Sequence, residues 1–188
     1  TYTETVMWSY GFSDGANDAC QTMFALDNVT TQNEAYGWNN NAVISVLSLT
    51  PAQVARADVT SFNAGNFVLN WSVNSNTAAT SIHYIVTGGT DITNVSVIQD
   101  TIDDTSTGNH SFSGSGTTFT PDFALTMTGT ENGGSITINT LSVGADNAQL
   151  NIGACRTTTE EYCMSGRTES IGTSDTDMIL HTNACISN

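Results

Sequence analysis

The sequence predicts an all-β protein, an antiparallel β-sandwich of jelly-roll or lectin-like type. Between Asn66 and Asn74 the large apolar residues Phe67, Leu69, Trp71 and Val73 fall on alternate positions. Side chains of a strand point to opposite faces in turn, so this spacing gathers the apolar groups on one face of a sheet. Clusters of Asp, Asn, Gly, Ser and Thr interrupt the apolar runs at intervals of roughly 8 to 12 residues, the rhythm of short strands in a sandwich or barrel. Helix signals occur in a single place.

In chain order, Thr5 to Phe12 and Thr22 to Leu26 flank Asp14-Gly15-Ala16-Asn17-Asp18, whose turn chemistry predicts a hairpin. A polar loop from Asp27 leads to Tyr36 and Trp38 beside Asn39-Asn40-Asn41. Read as loop aromatics, Tyr36 and Trp38 are candidates for stacking on a sugar ring or for plugging the sandwich end. Ala42 to Leu47 is almost continuously apolar, as in a strand covered on both faces. Thr50-Pro51-Ala52-Gln53-Val54-Ala55-Arg56-Ala57 has a capping Thr, Pro at the first helical position and good helix formers, which predicts a helix of one or two turns.

Past the Asn66 to Asn74 strand, Ile82, Tyr84 and Val86 repeat the period of two and stop at Gly88-Gly89. These two strands are expected to pair across a Ser/Asn/Thr turn. Val95 and Val97 alternate in a further strand, and Asp100 to Asn109 forms an acidic polar linker or seam. The chain thus divides into a half-module over 1–99, the seam at 100–109 and a second half-module over 110–188, together one compact unit. Pro121 lacks a backbone donor and so precedes the strand in which Phe123, Leu125 and Met127 alternate. Asn132-Gly133-Gly134 supplies a tight turn, and short strands follow at Leu150 to Ala154, Tyr162 to Met164 and Met178 to Ile186.

The charge distribution excludes some partners. Eighteen acidic residues face three arginines (Arg56, Arg156, Arg167) and no lysine, a net charge of −15 over 188 residues. Such a surface repels phosphate backbones and anionic lipid, so neither nucleic-acid binding nor membrane binding is expected. No apolar run approaches the roughly 18 residues of a membrane-spanning helix. The N-terminus has no basic stretch followed by an apolar core, so no signal peptide is expected to remain.

Catalytic chemistry finds few candidates. His83, His110 and His181 stand apart from one another and from carboxylates at metal-ligand spacing. Ser113-Gly114-Ser115-Gly116 reads as a flexible loop rather than a nucleophile elbow, and the adjacent acids Asp103-Asp104 and Glu160-Glu161 read as solvated. The expectation is a protein without catalytic residues or cofactor. Calcium stays in view because Asp14, Asp18, Asp100, Asp103 and Asp104 offer hard oxygens, although their spacing is not that of an EF-hand. Of the cysteines Cys20, Cys155, Cys163 and Cys185, none has zinc or redox spacing. Cys155 and Cys163, eight apart in ACRTTTEEYC, are candidates for a small disulfide loop outside a reducing cytosol.

Two longer patterns complete the sequence reading. Trp8 to Phe12 is echoed by Leu150 to Ala154, and Ala42 to Ser48 by Asn183 to Ser187, as two related halves would show. In addition, Ala64 to Trp71, Ile82 to Gly89, Gly108 to Phe112 and Thr118 to Phe123 together resemble a family of viral and phage-associated structural proteins. Its members carry a glycine-aromatic strand ending in Trp, an aliphatic strand ending in Gly-Gly, and a Gly-Phe-x-Pro-Asp strand opening the next module. Here Thr118 stands in the place of that glycine, and the resemblance implies a chain that starts and stops within modules. The resemblance implies a non-enzymatic structural subunit of an extracellular or virion assembly, such as a capsid decoration, tail or fibre protein. It also implies partners that are copies of itself or other particle subunits, with half-modules completed within the chain or by a neighbouring subunit. A carbohydrate-binding or adhesin module, with glycans as partners, is the alternative.

Overall fold

The computed structural model describes residues 5–26, 35–48, 52–77, 79–100, 111–112, 118–131, 139–143, 148–157, 159–169 and 175–181. Among them the chain is all-β, with eleven strands and no helix. The strands are β1 (Thr5–Ser13), β2 (Asp18–Leu26), β3 (Ala35–Asn39), β4 (Ile44–Leu47), β5 (Gln53–Asn63), β6 (Asn66–Asn74), β7 (Ala124–Glu131), β8 (Thr140–Val143), β9 (Ala148–Thr157), β10 (Glu160–Glu169) and β11 (Asp175–His181). Every pairing is antiparallel. The strands fall into three small sheets: a first of order β1-β2-β3-β8, a second of order β4-β5-β6 and a third of order β11-β10-β9-β7.

The first sheet has neighbours on both faces. Trp8 and Tyr10 of β1 pack with Met23 of β2 against Leu150 and Met127 of the third sheet. The Trp8 ring lies so close to the Gly166 backbone that a Cβ there would overlap it. The alternate residues of β1 meet β4 instead. Ser45 N–H donates to Ser9 Oγ at 3.3 Å, Leu47 N–H approaches Met7 Sδ at 3.4 Å, and Gly11 lies against the Val43 carbonyl. From β2, the Thr22 hydroxyl donates to the Ser45 carbonyl at 3.2 Å. Since β4 ends its own sheet, these side chains serve the main-chain edge that a further strand would otherwise take. Small residues at positions 9, 11 and 22 let that edge come close.

The β1–β2 hairpin closes at Ser13 and Asp18, as the turn cluster predicts, with Gly15 at φ +86°. Asp14 organises the turn. Its Oδ1 accepts from the amides of Ala16 (2.9 Å) and Asn17 (2.7 Å), and its Oδ2 accepts from Val97 N–H at 2.8 Å. Burial pushes this carboxyl up, but those hydrogen bonds outweigh it and hold it below its ordinary value of 3.8. A depressed carboxyl contributes its stability above the unfolded value and loses it as the pH falls through the folded one. Asp14→Ala is therefore expected to cost about 1 kcal/mol near neutrality, with the urea midpoints of variant and wild type converging in acid.

Three elements differ from the sequence reading. Of the helix expected over Thr50 to Ala57, residues 50 and 51 lie outside the described residues and Gln53 to Ala57 are instead the start of β5, where Ala55 and Ala57 are buried and alternate with half-buried Val54 and Arg56. Pairing with β4 and β6 overrides a helix propensity worth only a few tenths of a kcal/mol per residue. The strand β6 takes β5 as its partner, and not Ile82 to Val86, because Ala64-Gly65 closes a tight hairpin with Gly65 at φ +89°. Consequently Ile82 to Val86, and Val95 with Val97, carry a strand pattern without belonging to a sheet. The described residues form three small sheets where two were expected.

The halves of the chain share structure, since β8 pairs with β3 across the expected seam. The strand β1 lies at the end of its sheet whereas its sequence echo β9 lies inside another, between β10 and β7. Residues 101–109 of the expected seam, the Asn132-Gly133-Gly134 turn and the C-terminal echo at 183–187 lie outside the described residues.

Candidate functional site

An open polar cleft of about 400 Å³ lies where the β1–β2 turn, the segment after β3, and strands β5 and β6 meet. Asp18, Asn40, Asn41, Arg56, Asp58 and Ser72 line it together with Ala16. Arg56 and Asp58 are two apart on β5, so the strand period turns both the same way. Asn40 is fixed by reciprocal bonds with Asn139: Asn40 N–H donates to Asn139 Oδ1 at 3.0 Å and Asn139 Nδ2 donates to Asn40 Oδ1 at 2.7 Å. Asn139 has φ +63°, a left-handed conformation that asparagine tolerates better than most residues.

The polar groups of the cleft are tied to its walls. Asp18 Oδ2 accepts from Val59 N–H at 2.9 Å, and Asp58 Oδ1 accepts from Asn70 Nδ2 at 3.2 Å. Arg56 Nε donates to Ser72 Oγ at 3.0 Å, and that hydroxyl donates to the Arg56 carbonyl at 3.4 Å. The Ser72 hydroxyl therefore serves a cross-strand bond and has no base beside it in these contacts. The cleft presents carboxylates, a guanidinium and amides that suit hydrogen bonding to a polar ligand.

The sequence candidates are dispersed. Tyr36 and Trp38 lie on strand β3 rather than on a loop, Tyr36 opposite Met23 and Ser142 and Trp38 opposite Gln21 and Thr140. Their neighbours Asn40 and Asn41 do reach the cleft. Arg56 escapes sequence reasoning because its segment reads locally as helix, with Asp58 just past that segment's end, and the signal that could have found them is the small-residue alternation of Ala55 and Ala57. Asp14 and Asp18 sit at the same hairpin but accept backbone amides. Among the described residues no group of three His, Cys, Asp or Glu gathers as a metal site. Asp103, Asp104 and His110 lie outside the described residues, and His83 is exposed.

Cys155 and Cys163 are separate thiols on neighbouring strands. Cys155 stands opposite Glu161 and Cys163 opposite Gly153, so the two are diagonal neighbours. Diagonal positions lie about 7–8 Å apart, beyond the roughly 4.4–6.8 Å between Cα atoms that a disulfide spans, so the expected loop is not closed. Burial pushes the Cys163 thiol up, and pushes that of Cys20 up to about 11. Cys155 is half-buried whereas Cys163 and Cys20 are buried, so a disulfide reagent at mildly alkaline pH is expected to label Cys155 first. Peptide mass mapping against time checks the order.

Comparison with protein-family models, with curated proteins and with solved structures finds no match to this chain.

Proposed function

We propose that the protein is a non-enzymatic structural subunit of an extracellular or virion-surface assembly, a layered β-sandwich body whose partners are copies of itself or other particle subunits. The observation that supports this reading most is exposed apolar surface. Phe62, Val68 and Trp71 on the β5–β6 hairpin, with Ile82, Tyr84, Ile85 and Val86 beyond it, lie in solvent. Large apolar side chains left exposed in this number on one stretch of chain suit a surface that meets another molecule. The assembly reading needs no catalytic group, and its chemistry is burial of those side chains between neighbours.

Mass measurement with imaging of the purified chain tests the reading: oligomers, fibres or shells support it, and monomers at every concentration overturn it. Ionic strength provides a second check. Copies that each carry −15 repel one another, and raising salt from about 0.01 M to about 1 M shortens the screening length from about 30 Å to about 3 Å. Association is therefore expected to strengthen as salt rises.

The polar cleft favours a second reading, a glycan-binding module, because its carboxylates, amides and guanidinium suit polyhydroxyl ligands. Saturable binding on a glycan array, lost in Arg56→Ala, would support that reading over the first.

A further inference from the structure

We propose that residues 81–88 act as a donor strand, adding along the free edge of β6 in a second copy of the chain. This rests on the subunit reading above and names the contact through which copies would join.

The donor has the sequence of a strand and the surroundings of none. Ile82, Tyr84 and Val86 keep a period of two, yet each described residue from Ala79 to Val95 is exposed, Ile85 at 93%. No backbone hydrogen bond joins 81–88 to another described residue. Eight consecutive peptide units in solvent with apolar side chains between them are a strand without a sheet. The acceptor lies in the same molecule. The sheet of order β4-β5-β6 ends at β6, whose outer edge has no further strand among the described residues, and Val68 and Trp71 along it are exposed. Extended segments add to open edges of this kind by main-chain hydrogen bonding.

Charge identifies the occupant as a second copy. The chain holds 18 carboxylates, yet from Val59 to Thr90 there is no Asp, Glu, Lys or Arg. Donor and acceptor both lie within this uncharged stretch, so two strongly acidic molecules meet there without burying a carboxylate. The side chains also suit each other. Within one chain the Tyr84 ring meets the Phe67 ring edge-on at 5.0 Å between centroids, although the two backbones do not pair. Because the donor and acceptor surfaces differ, copies either exchange strands reciprocally in a closed pair or join head-to-tail in rings or filaments.

The test compares the full chain with Ile85→Pro, which removes one amide donor from an exposed position, by sedimentation velocity over a concentration series. Wild type is expected to associate, and the variant to do so at least ten-fold more weakly with an unchanged thermal melt. Should the proline variant melt early, Ile85→Asp keeps the amide and sets a carboxylate into the contact, with the same expected loss. Hydrogen exchange completes the test: alternate amides within 82–86 are expected to be protected in the assembly and to exchange freely on dilution. Association that both variants leave intact overturns the donor strand while the subunit reading stands. Protection that persists in the monomer shows the segment pairing within its own chain and also overturns it. A wild type that stays monomeric overturns both.

Discussion

Replacing Gly11 by alanine is expected to lower stability by about 3 kcal/mol, because the added Cβ would overlap the carbonyl group of Val43. The obstacle is main chain on both sides, so no rotamer change relieves it. The first sheet and β4 must separate, and the bonds from Ser45 N–H to Ser9 and from Thr22 to the Ser45 carbonyl weaken with them. Gly65→Ala is the comparison. No atom lies within 4 Å of its Cβ position, but its φ of +89° strains any other residue, for an expected loss of about 1 kcal/mol. Urea unfolding of the two variants decides the matter: equal losses would mean that the Val43 main chain does not lie against Gly11.

The second large effect is at Phe24, the largest fully buried side chain among the described residues, at 1% exposed. Phe24→Ala removes a ring from the β2 interior and is expected to destabilise the protein by about 3–5 kcal/mol. Phe62→Ala removes the same ring from the β5–β6 hairpin, where 46% of the residue is already in solvent, and about 1 kcal/mol is expected. Thermal melts of the pair measure how unequally the core is distributed. A Phe62 variant as damaged as the Phe24 one would place the hairpin inside the folded body.

The strands are most legible where a period of two meets a strong turn cluster that joins it to its partner. The β1–β2 hairpin and β6 follow directly from Asp14 to Asp18 and from Phe67, Leu69, Trp71 and Val73. What the sequence hides is partnership. A period of two suits a segment to a strand but carries no information on which strand lies beside it, so Ile82 to Val86 reads as the neighbour of β6 although Ala64-Gly65 has already given β6 to β5. The β5 strand itself is hidden because Ala55, Arg56 and Ala57 are good helix formers, and only contact with β4 reveals why alanines are needed there. The cleft is half legible for the same reason. Asn40 and Asn41 stand out in sequence beside Trp38, whereas Arg56, Asp58 and Ser72 reach it only through the β5–β6 pairing.

The union of β3 with β8 sets a timetable for the chain's birth. Ala35 to Trp38 find Thr140 to Val143 only after about a hundred intervening residues have been made, which takes roughly 5–20 s at ordinary ribosomal speeds. For that interval the first hairpin and β3 exist with one flank uncovered, and the nascent chain is most vulnerable to wrong pairing there.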